Sequence, residues 1–501
     1  LYYGRFGNVF LFASELKSIL KHPSVEKEID ASAMLKYFAH DYIPNPHSIF
    51  KGISKLEPGS YAVLSGTSFT KKRYWNITFN KSGSNIKACE EKFRELLKAA
   101  VKRRLISDVP LGVFLSGGLD SSCVVAMMAE LMPAKAIKTF TIGFKDKHFD
   151  ESGDAEIIAR HFGTDHRQQI VDAKGMLQVL PQILSTLDEP FADYSIIPTY
   201  VVSRFARKYV TVVLGGDGGD EFFAGYPSFI AHKISRIARF IPFSTAMLNM
   251  ASKLPLPSSG YMDPAFKLRR YLRGIKYPEA IRHQVWIGSF PRERQKMLLS
   301  GDYGDLLKEE NLYDESYAYT EEVKNLHYID RVNYLYAKTY MTDDILTKVD
   351  RASMALGLEV RAPFLDPEFI DFATSLSPNL KLKGFNTKYI VKKAMAGKLP
   401  AKILKKAKHG FAAPVGQWFR KELKELLLDT FSKEKVKKDG IFNFREIDSI
   451  IQNHLSGRLD YSRELWSLFV FQMWHDKWFK GGDTQYAQDS ATRFKETIPV
   501  N

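Results

Sequence analysis

The stretch LGVFLSGGLDSSCVVAMMA, residues 111–129, sets the expected architecture of this 501-residue chain. Its apolar start (111–115) reads as a buried strand, Ser116-Gly117-Gly118-Leu119-Asp120-Ser121-Ser122 as a turn, and the apolar run that follows as a helix over 121–132. Gly117 and Gly118 let the backbone turn tightly and come close to an anion. The serine hydroxyls and the free N–H groups at the helix start supply donors for phosphate oxygens. The loop lacks the lysine of the GxxxxGKS/T pattern and carries Asp120 instead. Phosphate beside that carboxylate needs a metal between them, so Mg²⁺ is expected.

On either side the chain alternates in the order that builds a parallel sheet. A strand (138–144) precedes a helix (155–162), then a strand (168–171), helices and another strand (210–214). The predicted class is α/β, with a doubly wound parallel sheet. Beyond Phe222 the pattern turns helical, with amphipathic stretches over 334–346, 369–375, 389–396 and 463–478. Upstream, the polar linker NKSGSN (80–85) precedes a helix whose apolar positions include Ile86, Cys89, Phe93 and Leu97. Residues 1–79 read as short β segments (8–13, 59–65, 70–77) with one short helix near 32–38. The expected division is residues 1–79, a linker at 80–85, a main domain over 86–480 and a polar tail at 481–501.

With 45% hydrophobic and 13% aromatic residues the chain can bury a large core. No apolar run reaches the roughly 18 residues of a membrane-spanning helix, so no membrane span is expected. Cys89 and Cys123 are too few for a disulfide framework or a zinc cluster, which fits a cytoplasmic location. The net charge of +15 is spread along the chain without a nucleic-acid motif, and no nucleic-acid partner is expected. The densest basic stretch holds ten lysines from Lys381 to Lys408, and most of them read as a solvated face.

A second loop follows the last predicted strand in VTVVLGGDGGDEFFAGY (210–226), where Asp217 and Asp220 sit among glycines. The C-terminal edge of a parallel sheet is where open α/β folds place ligands, so the two loops together imply a metal and nucleotide site. SGGLDSS after an apolar strand resembles the pyrophosphate loop of the N-type ATP pyrophosphatases, whose fold is of the adenine nucleotide alpha hydrolase-like kind. Three further stretches extend the likeness: LDEPFADYSIIPTY (187–200), LTKVDRASMALGLEVRAPFLD (346–366) and KKAKHGFAAPVGQWF (405–419). Together they resemble the asparagine synthetase family over residues 86–480. LYYGRFGNVFLFASELKSIL (1–20) and GISKLEPGSYAVLSG (52–66) resemble the closing part of that family's Ntn-type glutaminase domain.

The resemblance implies that a carboxylate, most simply that of aspartate, attacks the α-phosphate of ATP, and that ammonia then displaces AMP from the acyl-adenylate. Ser116, Gly117, Gly118, Asp120, Ser121 and Ser122 would bind pyrophosphate, and Asp120 with Asp220 would hold Mg²⁺. Leu115, Ile142 and Gly216 would flank the adenosine. Asp217 would serve catalysis as the carboxylate that helps form the intermediate and deprotonates ammonia, and Lys408 would neutralise phosphate charge from a Gly/Pro-hinged lid. The partners implied are small molecules: the acceptor carboxylate, ATP, and free or glutamine-derived ammonia. A homodimer is among the states the sequence allows.

Two departures from the family pattern bear on this reading. Many relatives carry Glu where this chain has Asp217, which shortens the reach by roughly 1.5 Å. The family's glutaminase nucleophile is an N-terminal cysteine, whereas the chain begins at Leu1. Residues 1–79 are therefore expected to be a glutaminase remnant, and the chain to use ammonia rather than glutamine. The alternative acceptors are a sugar acid, a peptide or a β-amino acid, and an ATP-binding scaffold without catalysis is the alternative of another class.

Overall fold

The computed structural model describes residues 1–81, 85–147, 149–238, 264–408, 410 and 413–480. The predicted tail (481–501), most of the interior of the linker (82–84), and His409, Phe411 and Ala412 of the 405–419 stretch lie outside the described residues.

Residues 1–79 begin with a three-stranded antiparallel sheet in the order β2-β1-β3, made of β1 (Tyr2–Phe6), β2 (Val9–Ala13) and β3 (Ile53–Lys55). A separate hairpin pairs β4 (Ser60–Ser65) with β5 (Ser68–Arg73). The helix Ala31–His40 between these strands is capped by the Asp30 carboxylate, which accepts from Ala33 N–H. This helix is buried almost throughout. The Tyr37 hydroxyl donates to the Ser467 carbonyl at 2.8 Å, and Asp41 at its end pairs with Arg463 at 3.1 Å. The apolar core accordingly runs from this segment into the C-terminal helices, with Phe38, Phe442 and Phe471 in mutual contact.

The central sheet is parallel, with strand order β10-β9-β6-β7-β8. Its members are β6 (Leu111–Phe114), β7 (Lys138–Phe144), β8 (Asp165–Val171), β9 (Val212–Leu214) and β10 (Glu359–Arg361). Alternation along the strands gives the sheet two apolar faces. Val113, Leu115 and Leu214 pack with the helices Ile86–Arg104, Leu119–Ala129 and Ser152–Phe162. Phe140 and Val213 face the other way, towards Phe205 of the helix Ile196–Arg207. The remaining chain is mostly helical, as the amphipathic pattern predicts. Among the described residues no helix is long and apolar enough to cross a membrane. Cys89 and Cys123 are buried and unpaired.

Helix Glu279–Ile287 ends at Gly288 against the N-terminal segment. A Cβ on Gly288 would lie 1.8 Å from the Ala39 carbonyl oxygen, a backbone atom that cannot swing aside. Gly288→Ala is expected to destabilise the chain by about 2 kcal/mol, the usual cost of overpacking, and to lower the melting temperature by several degrees. Thermal unfolding followed by circular dichroism checks this, and an unchanged melting temperature would contradict the tight docking of the two segments.

Candidate active site

Strand order reverses between β6 and β9, and a parallel sheet opens a crevice at such a point. Both glycine loops emerge there. At the first, the Leu115 N–H donates to the Phe140 carbonyl at 2.9 Å, and the Thr141 hydroxyl donates to the Leu115 carbonyl. Gly117 then adopts a φ of 68°, and a Cβ there would lie 2.5 Å from the Ala155 nitrogen, so only glycine fits. Gly118 caps the helix Leu119–Ala129. The loop bonds to itself. Ser116 and Ser121 hydroxyls lie 3.1 Å apart, and the Ser122 hydroxyl donates to the Gly118 carbonyl at 2.7 Å.

The second loop presses directly on the first. A Cβ on Gly219 would meet Asp120 Cγ at 2.5 Å, and one on Gly216 would meet Ser121 N at 3.0 Å. Absent side chains thus allow Asp120 and Asp220 to share a single cation. Lys388 Nζ contacts Asp120 Oδ2 and lies 2.6 Å from Asp220 Oδ1, while Lys408 Nζ lies 2.6 Å from Asp220 Oδ2. Burial alone would raise the Asp220 carboxyl, but Lys388 and Lys408 outweigh it and hold it at about 2. Burial pushes Asp120 up against the pull of Lys388, with the charge of Asp220 adding to the rise. Burial also pushes the Asp217 carboxyl up, against the pull of Lys348 and Lys408.

A cavity of about 970 Å³ covers this end of the sheet. Leu115, Ser116, Gly118, Asp120, Ser121, Ile142, Gly216, Asp217, Asp220 and Lys408 all line it, so the fold gathers these sequence-predicted residues around one space. Gly117 and Ser122 stand behind the wall, with Ser122 fully buried. The donor set fits a hard cation. Asp120 Oδ1 is buried without a donor, and one or two carboxylates together with substrate phosphates are the usual ligands of Mg²⁺.

Most lysines of the basic stretch are exposed or half-exposed, as expected, and Lys388 is an exception. It is 5% exposed and bridges the two acidic loops, with a φ of 52° that an L residue holds at a cost of roughly 1–2 kcal/mol. Lys381 is also fully buried, donating to Asp330 at 2.9 Å. Sequence reasoning likewise left Asp193, Asp344 and Lys348 without roles, although two of them sit inside quoted motifs. All three line the cavity.

Comparison with known proteins places these features in a family. Residues 92–476 match the family described as asparagine synthase, and residues 1–75 match the glutamine amidotransferase domain. The chain is 30% identical over 486 residues to asparagine synthetase (glutamine-hydrolyzing) 1 of Bacillus subtilis, covering 95% of this chain and 73% of that one. It is 30% identical over 477 residues to a putative asparagine synthetase (glutamine-hydrolyzing) of Mycobacterium tuberculosis, covering 92% and 70%. With amidase chyE of Penicillium rubens it shares 25% identity over 454 residues, covering 81% and 65%.

Proposed function

The chain belongs to the asparagine synthase family of ATP-dependent amidating ligases, and from that premise we propose that it converts aspartate to asparagine through an acyl-adenylate. The observation that carries the reading is the convergence of two glycine loops on one lysine-neutralised carboxylate pair beside the cavity. In the first step a carboxylate oxygen of the acceptor attacks the α-phosphorus. The bond from that phosphorus to the bridging oxygen breaks, and its electron pair leaves with pyrophosphate. The N–H groups and hydroxyls of 116–122 hold the pyrophosphate oxygens, and Lys388 and Lys408 offset the negative charge that gathers on them. Asp120 and Asp220 would hold Mg²⁺, which when bound neutralises charge between the carboxylates and the phosphates. Leu115, Ile142 and Gly216 give the adenosine a largely apolar seat.

In the second step the nitrogen of ammonia attacks the acyl carbon, and AMP departs with the electron pair of the broken C–O bond. Asp217 takes a proton from the attacking nitrogen. Its upward shift from burial makes it a better base than an exposed carboxylate. Water must be kept from the adenylate during this interval, and the enclosed wall of Phe114, Ile142 and Tyr340 serves that purpose. A different acceptor carboxylate is the second reading, favoured by Asp217 in place of the commoner Glu and by likeness to proteins named amidases.

The test is isotopic. Aspartate labelled with ¹⁸O in its side-chain carboxylate, incubated with the chain, ATP, Mg²⁺ and ammonium, is expected to deliver one ¹⁸O to AMP for each asparagine formed. Unlabelled AMP, or ADP and phosphate as products, would rule out the acyl-adenylate.

A further inference from the structure

Two clusters of histidine and carboxylate side chains lie apart from the cavity lining, and each brings three metal-ligand atoms within 4.8 Å of one another. In the first, His47, Asp314 and Glu315 already surround a cation of the chain's own. The fully buried Lys36 ammonium contacts both carboxylates and lies 3.1 Å from His47 Nε2. The second joins Asp439, His475 and Asp476. Asp439 ends the helix Lys433–Asp439, and Gly440 then turns the chain with a φ of 70°. His475 and Asp476 open the wide helical turn His475–Phe479, which continues the helix Ser462–Trp474.

This second cluster is braced but not completed. Gln472 Nε2 donates to Asp439 Oδ2 at 2.8 Å and to Asp476 Oδ1 at 3.1 Å, which fixes how the two carboxylates face each other. The His475 ring is held by Phe471 and Phe479, whose ring centres lie 5.9 and 5.1 Å away with planes nearly parallel to it. Lys480 Nζ lies 2.7 Å from Asp439 Oδ1 and 2.9 Å from Asp476 Oδ1. The histidine gains nothing from that ammonium. His475 is 4% exposed, and its buried Nδ1 has no hydrogen-bond partner although it lies 3.9 Å from Asp476 Oδ1. A buried ring nitrogen left unpaired is costly unless a ligand completes it. Burial, followed by the charge of Lys480, lowers the imidazole from its ordinary value and keeps the ring neutral. Protonated at Nε2, a neutral ring offers its lone pair at Nδ1.

We propose that Asp439, His475 and Asp476 bind a divalent transition metal of the Zn²⁺ type, with the Lys480 ammonium as the group the metal displaces. One imidazole nitrogen and two carboxylate oxygens suit Zn²⁺, whereas Mg²⁺ and Ca²⁺ take oxygen ligands. Tetrahedral bonds of about 2.0–2.2 Å set ligand atoms roughly 3.3–3.6 Å apart, so the spacing of His475 and Asp476 needs only a small side-chain rotation. Water fills the fourth position. The Lys480 side chain is 39% exposed, and its ion pairs are of the surface kind, so its ammonium can turn to solvent at little cost. Gln472 then serves as the outer donor that orients both carboxylates. A metal here would tie the end of the helix Lys433–Asp439 to the helix Ser462–Trp474. That second helix already holds distant segments, since its Trp474 Nε1–H donates to the Asp188 carbonyl at 2.9 Å and its Ser467 carbonyl accepts from Tyr37. The site is thus a structural staple, and it does not depend on the ligase reading.

The experiment titrates the full chain with Zn²⁺, and with Co²⁺ for its visible absorption, in a large excess of Mg²⁺ that covers Asp120 and Asp220. One Zn²⁺ per chain is expected, with a raised melting temperature and the absorption bands of four-coordinate Co²⁺. His475→Gln and Asp439→Asn should each weaken Zn²⁺ binding by at least about 100-fold, the upper end of the loss seen for outer-shell partners, and leave pyrophosphate release under Mg²⁺ alone unchanged. Should His475→Gln fail to fold, Asp476→Asn makes the same comparison at a less buried ligand. Lys480→Met removes the competing ammonium and should tighten binding by roughly 3- to 10-fold, a gain that a purely structural ion pair would not give. Absence of Zn²⁺ binding in excess Mg²⁺ overturns the site. Binding that both ligand substitutions leave unchanged, or that Asp220→Asn abolishes while Asp439→Asn does not, puts the metal elsewhere and overturns it equally. Weaker binding in Lys480→Met overturns the displacement.

Discussion

Asp220→Asn is expected to lower acceptor-dependent pyrophosphate release by at least about 1,000-fold while the fold survives, and Asp120→Asn to do nearly the same. Asp220 accepts charge-assisted contacts from two lysines and is held at about 2 by them against its burial, so it is ionised throughout the working range. Asparagine keeps the shape and one carbonyl oxygen but removes the charge that pairs with Lys388 and Lys408 and that, on the proposed reading, would hold a cation against the phosphates. Asp120 stands at the other end of Lys388 with an oxygen that has no protein donor, the position open to a metal. Each substitution also removes one charge from a buried ionic cluster, so melting temperatures should fall along with activity, though not far enough to unfold the chain at assay temperature. Circular dichroism melts beside a coupled pyrophosphate assay separate the two effects. Near-normal turnover in either variant would remove the carboxylate pair from the mechanism.

The strand-loop-helix at 111–129 was legible because its signals are local. Apolar periodicity, paired glycines and helix-start hydroxyls act within a few residues, and strand β7 falls at 138–144 as its pattern predicts. The predicted helix at 121–132 starts two residues earlier and stops three earlier, because Gly118 already caps it and Glu130 ends it. Strand β10 was not legible. It is three residues long, with Glu359 exposed, and becomes a strand only by pairing beside β9. The predicted strand at 168–171 begins instead at Asp165, since β8 is an edge strand whose polar residues mask its alternation. The helix at 31–40 was found, but its near-complete burial depends on partners such as Ser467 and Phe471 more than 400 residues away. Lys388 is the clearest limit. A lysine among lysines has no periodic signature, and its partner Asp120 lies 268 positions off. Only the folded chain separates it from its solvated neighbours.

Lys408→Ala and Lys388→Met are expected to fail in different ways. Lys408 makes one ion pair from a side chain about a third exposed, beside residues of the predicted lid, and stands in the cavity mouth where phosphates would enter. Its charge is best used when negative charge builds on the departing pyrophosphate, so Lys408→Ala should lower kcat by about 100- to 1,000-fold while KM for ATP changes only a few-fold. The melting temperature should barely move. Lys388 is buried between Asp120 and Asp220, and replacing it with methionine preserves volume but leaves two carboxylates facing each other with only Lys408 nearby. Removing one partner from a buried ionic cluster costs about 3 kcal/mol or more, so Lys388→Met should lower stability even without substrate, as well as activity. Kinetics and melting measured on both variants in parallel decide the matter. A Lys408→Ala enzyme with normal kcat and a much raised KM for ATP would make that lysine a ground-state binder. A Lys388→Met chain as stable as the wild type would mean that the two carboxylates do not depend on their shared ammonium.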